Sequence, residues 1–293
     1  MSGPRTSMLG MSSPIIGSQA IAAGALTRGQ LRWNYTALHP DVYVPKGVAL
    51  TLDLRTRAAA LWVPGGVVAG RAAAARHGSP WVSATSPVEL IGRARRPQPG
   101  VVVRQDRVGS DETVSLGDLP VTSADRTALD LARFLPRVDA VAHLDALAAA
   151  TGIDPDAVLS LADRYRGARG IRRARAALAL VDPGAQSPRE SWLRLLLIDA
   201  GFPRPATQIP VSNGHTTMFV DLGWDEPKIG LEYEGGQHQS DRRQFVRDIG
   251  RHDLLEEAGW LIVRVVKEHS RGYILRRVRD AFGRRQVSLP RSA

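Results

Sequence analysis

Apolar and polar positions follow two different periods along this chain, and those periods lay out its elements. Thr27 has the character of a helix N-cap before RGQLRW, and the bracketed run HPDVYVPKG is short and β-prone. A helical period runs from about Leu52 to Trp62, and a second helix, GRAAAARHG, stops at Gly78 beside His77. PVELIG and VVVRQ read as strands. From Ser123 to Leu180 the pattern is helical, broken at Pro136 and at Asp154–Pro155, with Arg126, Thr127 and Asp130 placed to cap and brace a helix. The segment from Val181 to Glu190 then carries Pro183, Gly184, Ser187 and Pro188 between two helical patterns, and it is the best boundary.

Past that boundary the order is helix, strand, strand, helix, strand, helix. Ser187 caps the first helix, with Pro188 at its first position and Trp192, Leu193, Leu196, Leu197 and Ala200 as its apolar stripe. TTMFVDLGW and KIGLEYE are two strands joined through Asp225–Glu226–Pro227. A helix follows from about Asp241 to Ala258. WLIVRVV is continuously apolar, as a strand inside a sheet is, and RGYILRRVRDAFGRR closes the chain with basic residues along its outer face.

Strand parity gathers carboxylates. Lys228, Gly230, Glu232 and Glu234 share one face of their strand, and Ile229, Leu231 and Tyr233 share the other. On the preceding strand Met218, Val220 and Leu222 face one way, Phe219 and Asp221 the other. A connection from Asp225 to Lys228 sets Asp221 opposite Glu232, with Glu234 beside them, whereas a slip of one residue would reverse the faces. Like charges across strands repel, so a cation, nearby arginines or raised carboxyl pKa values must compensate. Magnesium or manganese held by such acids would activate water against a phosphodiester. Arg243, Arg247 or Lys228 could equally neutralise them with no metal. Gly235–Gly236 would let backbone approach a phosphate, and Gln237 and His238 could orient a water or contact it. Arg247, Arg251, Leu254 and Ala258 form one helical row aimed at the sheet. Glu190 has two readings, a capping box with Ser187 or an acid bordering the stripe that faces the sheet.

Charge narrows the class of partner. Of 293 residues, 39 are Lys or Arg and 29 Asp or Glu, a formal net charge of +10. Such a field favours polyanions, and Arg forks onto phosphate oxygens better than Lys. Arg172 and Arg173, within the basic run from Arg164 to Arg175, are candidate phosphate contacts beside Arg243, Arg247 and Arg251. DNA is the expected partner, and RNA is not excluded. With 0 cysteines there are no disulfides, thiolate nucleophiles or cysteine zinc sites. No phosphate-binding P-loop, GxSxG elbow or zinc-ligand spacing occurs. No apolar run reaches the length of a membrane span, and Ser18 and Gln19 interrupt the stretch after Arg5 that would otherwise suggest a leader. A soluble, cytoplasmic protein is expected.

The runs SPRESWLRLLLIDAGFPRP, VDLGWDEPKIGLEYEGGQH and RRQFVRDIGRHDLLEEAGWLIVRV together resemble the endonuclease domain related to very-short-patch-repair endonucleases (domain of unknown function 559). That group lies in the PD-(D/E)XK, restriction-endonuclease-like superfamily. The resemblance implies an α/β domain over 185–287, a mixed sheet flanked by helices with a Mg2+ or Mn2+ site. Asp221 matches the motif Asp, Glu232 the motif acid and Glu190 the acid on the first helix; these three would be the metal ligands. Glu234, Gln237 and His238 match the family's closing residues. The usual Lys two positions after the motif acid is Glu234 here, so either Gln237, His238 or Lys228 takes its role, or catalysis is weak or lost.

LTRGQL, DVYVPKG and VTSADRTALDLAR resemble AbiEi-type antitoxin proteins. This second resemblance implies an α+β, mostly helical region over 1–184 that begins with a winged helix. The run from Leu26 to Tyr43 is too short for a full recognition helix before the wing, so the start reads as a degenerate winged helix at about 14–46. Two functions follow. One is a metal-dependent endonuclease acting on DNA. The other is an antitoxin-like DNA-binding regulator whose nuclease-fold domain is silent, which leaves room for a partner toxin.

Overall fold

The second helix starts where side chains replace missing backbone partners. Thr27 accepts from the Gln30 amide while Gln30 returns a bond to the Thr27 amide, a capping box opening α2 (Arg28–Asn34). The structure is a computed structural model that describes residues 13–93, 96–234, 250, 253–287 and 289. The chain divides into two compact units, Met1–Leu135 with Ala150–Ala179 and Pro136–Ala149 with Leu180–Ala293.

The first unit opens with β1 (Ile15–Ile16), α1 (Gly17–Ala22), α2, β2 (Tyr35–His39) and β3 (Val42–Pro45). The three strands form an antiparallel sheet in the order β1-β3-β2. Helices α1 and α2 thus lie between the first strand and the β2–β3 hairpin. Gly17 is required where it stands, because a Cβ there would come within 2.5 Å of the Tyr43 ring. The unit continues through α3 (Leu52–Trp62), β4 (Val67–Ala69), α4 (Gly70–Arg76), β5 (Val88–Ile91), β6 (Val101–Arg104), β7 (Thr113–Leu116) and β8 (Leu119–Thr122). Its second sheet runs β6-β5-β4-β8-β7 around a core of Ala59, Val63, Val68, Leu90 and Val121. Helix α5 (Ala124–Phe134) is followed by α6 (Arg137–Thr151), most of which belongs to the second unit, and then by α7 (Pro155–Asp163) and α8 (Ile171–Leu178). Strands β1, β2, β4, β7 and β8 come in addition to those the sequence pattern indicates. They are two to five residues long. At that length pairing with neighbours, rather than a legible alternation, makes the strand.

The second unit adds α9 (Pro188–Asp199), β9 (Ala206–Ser212), β10 (Thr217–Trp224), β11 (Ile229–Glu234), β12 (Leu261–Val266) and α10 (Arg271–Arg284). The sheet order is β12-β11-β10-β9, with β11 and β12 parallel and the other pairs antiparallel. Strand β9 is a strand the sequence reading omits. Pro210 lies within it, and an edge strand is where a proline can be carried without breaking a central ladder. One side of the sheet buries Leu222, Trp224, Ile229, Leu231 and Val263 against Leu193 and Leu197 of α9 and Ile274, Val278 and Phe282 of α10. A second cluster joins Ile209, Val211 and Val220 to Leu254, Leu255 and Trp260. The protein is thus mixed α/β in both units, and no described helix is long and apolar enough to cross a membrane.

Candidate functional site

The β10–β11 ladder pairs Leu222 with Leu231, Gly223 with Gly230 and Trp224 with Ile229. This is the register expected from the apolar pattern. Asp221 and Glu232 stand at the open end of the ladder, one residue beyond the Leu222–Leu231 pair, and both are half-buried. The faces of β10 depart from the expected alternation. A Cβ on Gly230 would meet Val220, Ile262 and Trp260, so Val220 lies on the Gly230 side while Leu222 joins the opposite core. The strand therefore changes face between Val220 and Leu222, where the neighbouring edge strand has Gln208 in left-handed backbone (φ 50°). Apolar cover from Val220 and Trp260 thus reaches the side that strand parity alone leaves to acids.

Among the described residues no three His, Asp or Glu side chains stand close enough to hold one ion. Glu190 is buried and used as a cap. Its Oε2 accepts from the Gln186 amide at 2.8 Å, its Oε1 from the Ser187 hydroxyl at 2.8 Å, and its own amide donates to Ser187 Oγ at 3.2 Å. Burial pushes its carboxyl pKa up, against the pull of those bonds. Lys228 is also elsewhere. It precedes β11, donates to the Ala258 carbonyl at 2.9 Å, and lies four strand positions, about 13 Å, before Glu232. The cation the sequence reading misses is Arg264. It is the register partner of Glu232 in the parallel β11–β12 pair, and its Nε is 3.4 Å from Glu234 Oε1. Its signal was present as the one charged residue inside the run WLIVRVV. Gly235, Gly236, Gln237, His238, Arg243, Arg247 and Arg251 lie outside the described residues.

Buried charge is concentrated in the first unit instead. Arg126 has no exposed surface. Its Nε reaches both oxygens of Asp130 at 3.1 Å, and its Nη1 donates to Glu112 at 2.5 Å, to Tyr165 Oη at 2.7 Å and to the Arg107 carbonyl at 2.8 Å. Arg133 adds a bond to Asp106 at 2.6 Å. Desolvation raises the Asp130 carboxyl to about 6, although Arg126 and Arg133 pull it down. Desolvation and the bond to Glu112 push the Tyr165 phenol up to about 12. This network ties α5, the segment before β7 and the end of α7 into one body. Nearby, His77 caps α4 and its Nε2 lies 2.7 Å from the Thr122 carbonyl.

The basic surfaces divide into paired and solvated arginines. Arg164 meets Asp111 at 2.5 Å, and Arg175 and Arg166 meet Asp163 at 2.5 and 3.4 Å. Arg173 donates to the Arg133 carbonyl at 2.9 Å, which closes α8 onto α5. Arg172 is exposed on α8. At the other end of the unit, α2 buries Leu31 alone and exposes Arg28, Arg32 and Trp33, the last at 74%. Lys46, just after β3, donates to the Arg32 carbonyl at 3.1 Å and ties the hairpin to the helix.

Residues 55–180 match the family model of the AbiEi antitoxin C-terminal domain, a span that runs from α3 to the end of α8 and holds the Arg126 network. The chain is also 35% identical over 181 residues to two uncharacterised proteins from strains of Mycobacterium tuberculosis. That alignment takes in 61% of this chain and 66% of each relative.

Proposed function

We propose that this protein is an antitoxin-like DNA-binding regulator whose C-terminal unit does not hydrolyse DNA, working in a toxin–antitoxin setting. The observation that carries the reading is the antitoxin match over 55–180. The winged-helix order ahead of it supplies the reader. In α2 the buried Leu31 anchors the helix, while Arg28, Arg32 and Trp33 project outward from a capped start. Seven residues give about two turns, enough to set a few side chains against base edges or phosphates. The net charge of +10 supplies the attraction to the duplex.

The hydrolytic reading has the Asp221–Glu232 register and the Gln237–His238 ending of the motif in its favour. Glu190 is committed to its cap, Glu234 stands where the motif Lys belongs, and Arg264 is at hand to neutralise the acids. Plasmid DNA incubated with the protein and manganese should remain supercoiled. Manganese should also shift the melting temperatures of the wild type and Asp221→Asn equally. A larger shift for the wild type, with nicking that Asp221→Asn abolishes, would restore the endonuclease. For the DNA reading, Arg32→Ala should weaken duplex binding by about 1–3 kcal/mol if it reads a base, measured by mobility shift on the protein's own upstream DNA. Unchanged binding by an Arg28→Ala, Arg32→Ala double variant would remove α2 as the reader.

A further inference from the structure

We propose that the start of α10 carries a second nucleic-acid surface, specific for single strands, in which Tyr273 stacks on an unpaired base and Arg276 holds phosphate. The core side of α10 is Ile274, Val278, Ala281 and Phe282. Tyr273 lies outside that core and is 38% exposed, one of the few large rings at the surface. Its surroundings are built rather than loose. The His269 ring stands 4.7 Å from it, tilted by 51°. The guanidinium carbons of Arg276 and Arg277 lie 5.4 and 5.6 Å from its centroid, within cation–π range.

Hydrogen bonds fix the frame. Ser270 Oγ accepts the Tyr273 amide at 3.2 Å, and Arg277 donates to the Arg264 carbonyl at 2.5 Å. His269 Nδ1 accepts from the Val266 amide at 3.3 Å, so in the neutral ring the proton sits on Nε2 as a donor. Basic residues predominate along this segment, although Arg264 is already paired with Glu234. Between 264 and 280 only Glu268 and Asp280 are acidic, while Arg264, Lys267, Arg271, Arg276, Arg277 and Arg279 are basic, and Lys267 and Glu268 lie 3.7 Å apart.

An exposed aromatic ring among arginines is the chemistry that holds single-stranded nucleic acid, since every base offers a π-face and every linkage a phosphate. A duplex keeps its bases stacked on one another and leaves such a ring nothing to stack on. The surface also follows the end of β12, beside the parallel neighbour β11. The carboxyl ends of adjacent parallel strands are where open α/β sheets take ligands.

Fluorescence anisotropy of the full chain with a labelled oligothymidylate of about 12 nucleotides, and with a duplex of equal length, tests this. Tyr273→Ala should weaken oligothymidylate binding about tenfold, as loss of one base stack does, and leave duplex binding within about twofold. Tyr273→Phe keeps the ring and should bind as the wild type. Arg276→Gln should weaken binding and reduce the salt slope by about 0.7, the share of one phosphate contact on a single strand. Circular dichroism melts check that each variant folds. Three results would overturn the proposal: wild-type protein that does not bind oligothymidylate, Tyr273→Ala that binds it normally, or equal losses on single strand and duplex. The α2 reading fails separately, because Arg28→Ala and Arg32→Ala act on the duplex.

Discussion

A single arginine shows what the interior demands of each residue. Arg126 is fully buried and spends its donors on Asp130, Glu112, Tyr165 and a backbone carbonyl. Removing it strands two buried carboxylates, so Arg126→Met should lower stability by about 3 kcal/mol in urea melts. Asp130 has the opposite behaviour, because burial outweighs its partners and lifts its pKa from 3.8 to about 6. A carboxyl raised on folding contributes stability that is full below its unfolded pKa and is lost as pH rises through its folded one. Asp130→Asn, which does not titrate, should gain on the wild type as pH climbs from about 4 to about 6. Stability curves measured across that window check the sign, and parallel curves would show that Asp130 is ionised throughout. Glu190 belongs at this scale too. Its sequence position allowed either a cap or a ligand, and its hydrogen bonds satisfy the cap.

At the scale of the element, the β10–β11 hairpin sets where the acids can stand. Gly223 is needed there, since a Cβ would come within 2.3 Å of the Ile229 carbonyl oxygen and 2.9 Å of the Gly230 Cα. Backbone cannot yield as a side-chain tip can. Gly223→Ala should therefore cost about 1–3 kcal/mol, seen as a lower urea midpoint for the second unit, and an unchanged midpoint would mean the hairpin has slack. Helix α2 depends on its cap. Thr27→Ala breaks the capping box and should destabilise the helix by about 1 kcal/mol, and on the proposed reading should weaken duplex binding although Arg28 and Arg32 are unchanged. Normal duplex affinity in that variant would separate the helix from the binding.

For the whole molecule, the division into two units, each with its own core, predicts that denaturant melts followed by different probes need not coincide. The net charge of +10 predicts that duplex affinity falls steeply between low and physiological salt, because each phosphate contact releases counterions. Flat binding over that range would mean the arginines serve the fold alone. Part of the charge does serve it. Arg126, Arg133, Arg164 and Arg175 are held by carboxylates inside the first unit, so the count of 39 basic residues overstates the cations left to meet a polyanion.

By itself the sequence determined what local chemistry can specify. The Thr27 and Ser187 caps, the helices from Leu52 to Trp62 and after Pro188, and the register of KIGLEYE against TTMFVDLGW follow from side-chain oxygens, proline placement and apolar period. So does the resemblance to AbiEi-type antitoxins, which VTSADRTALDLAR carried inside the region from 55 to 180 that the family model matches. Tertiary structure decided the rest, because it turns on partners distant in sequence. Strand β9 exists because β10 offers it an edge, although it contains Pro210. Val220 leaves the face its parity assigns because the neighbouring strand turns at Gln208. Arg264 stands beside Glu232 in the ladder and pairs with Glu234 only because β12 returns parallel to β11, thirty-two residues after Glu232 in the register of the pair. Spacing along a chain can bring like charges onto one strand face. Whether a cation, an arginine or an apolar side chain then fills the space beside them is settled by the element that packs there.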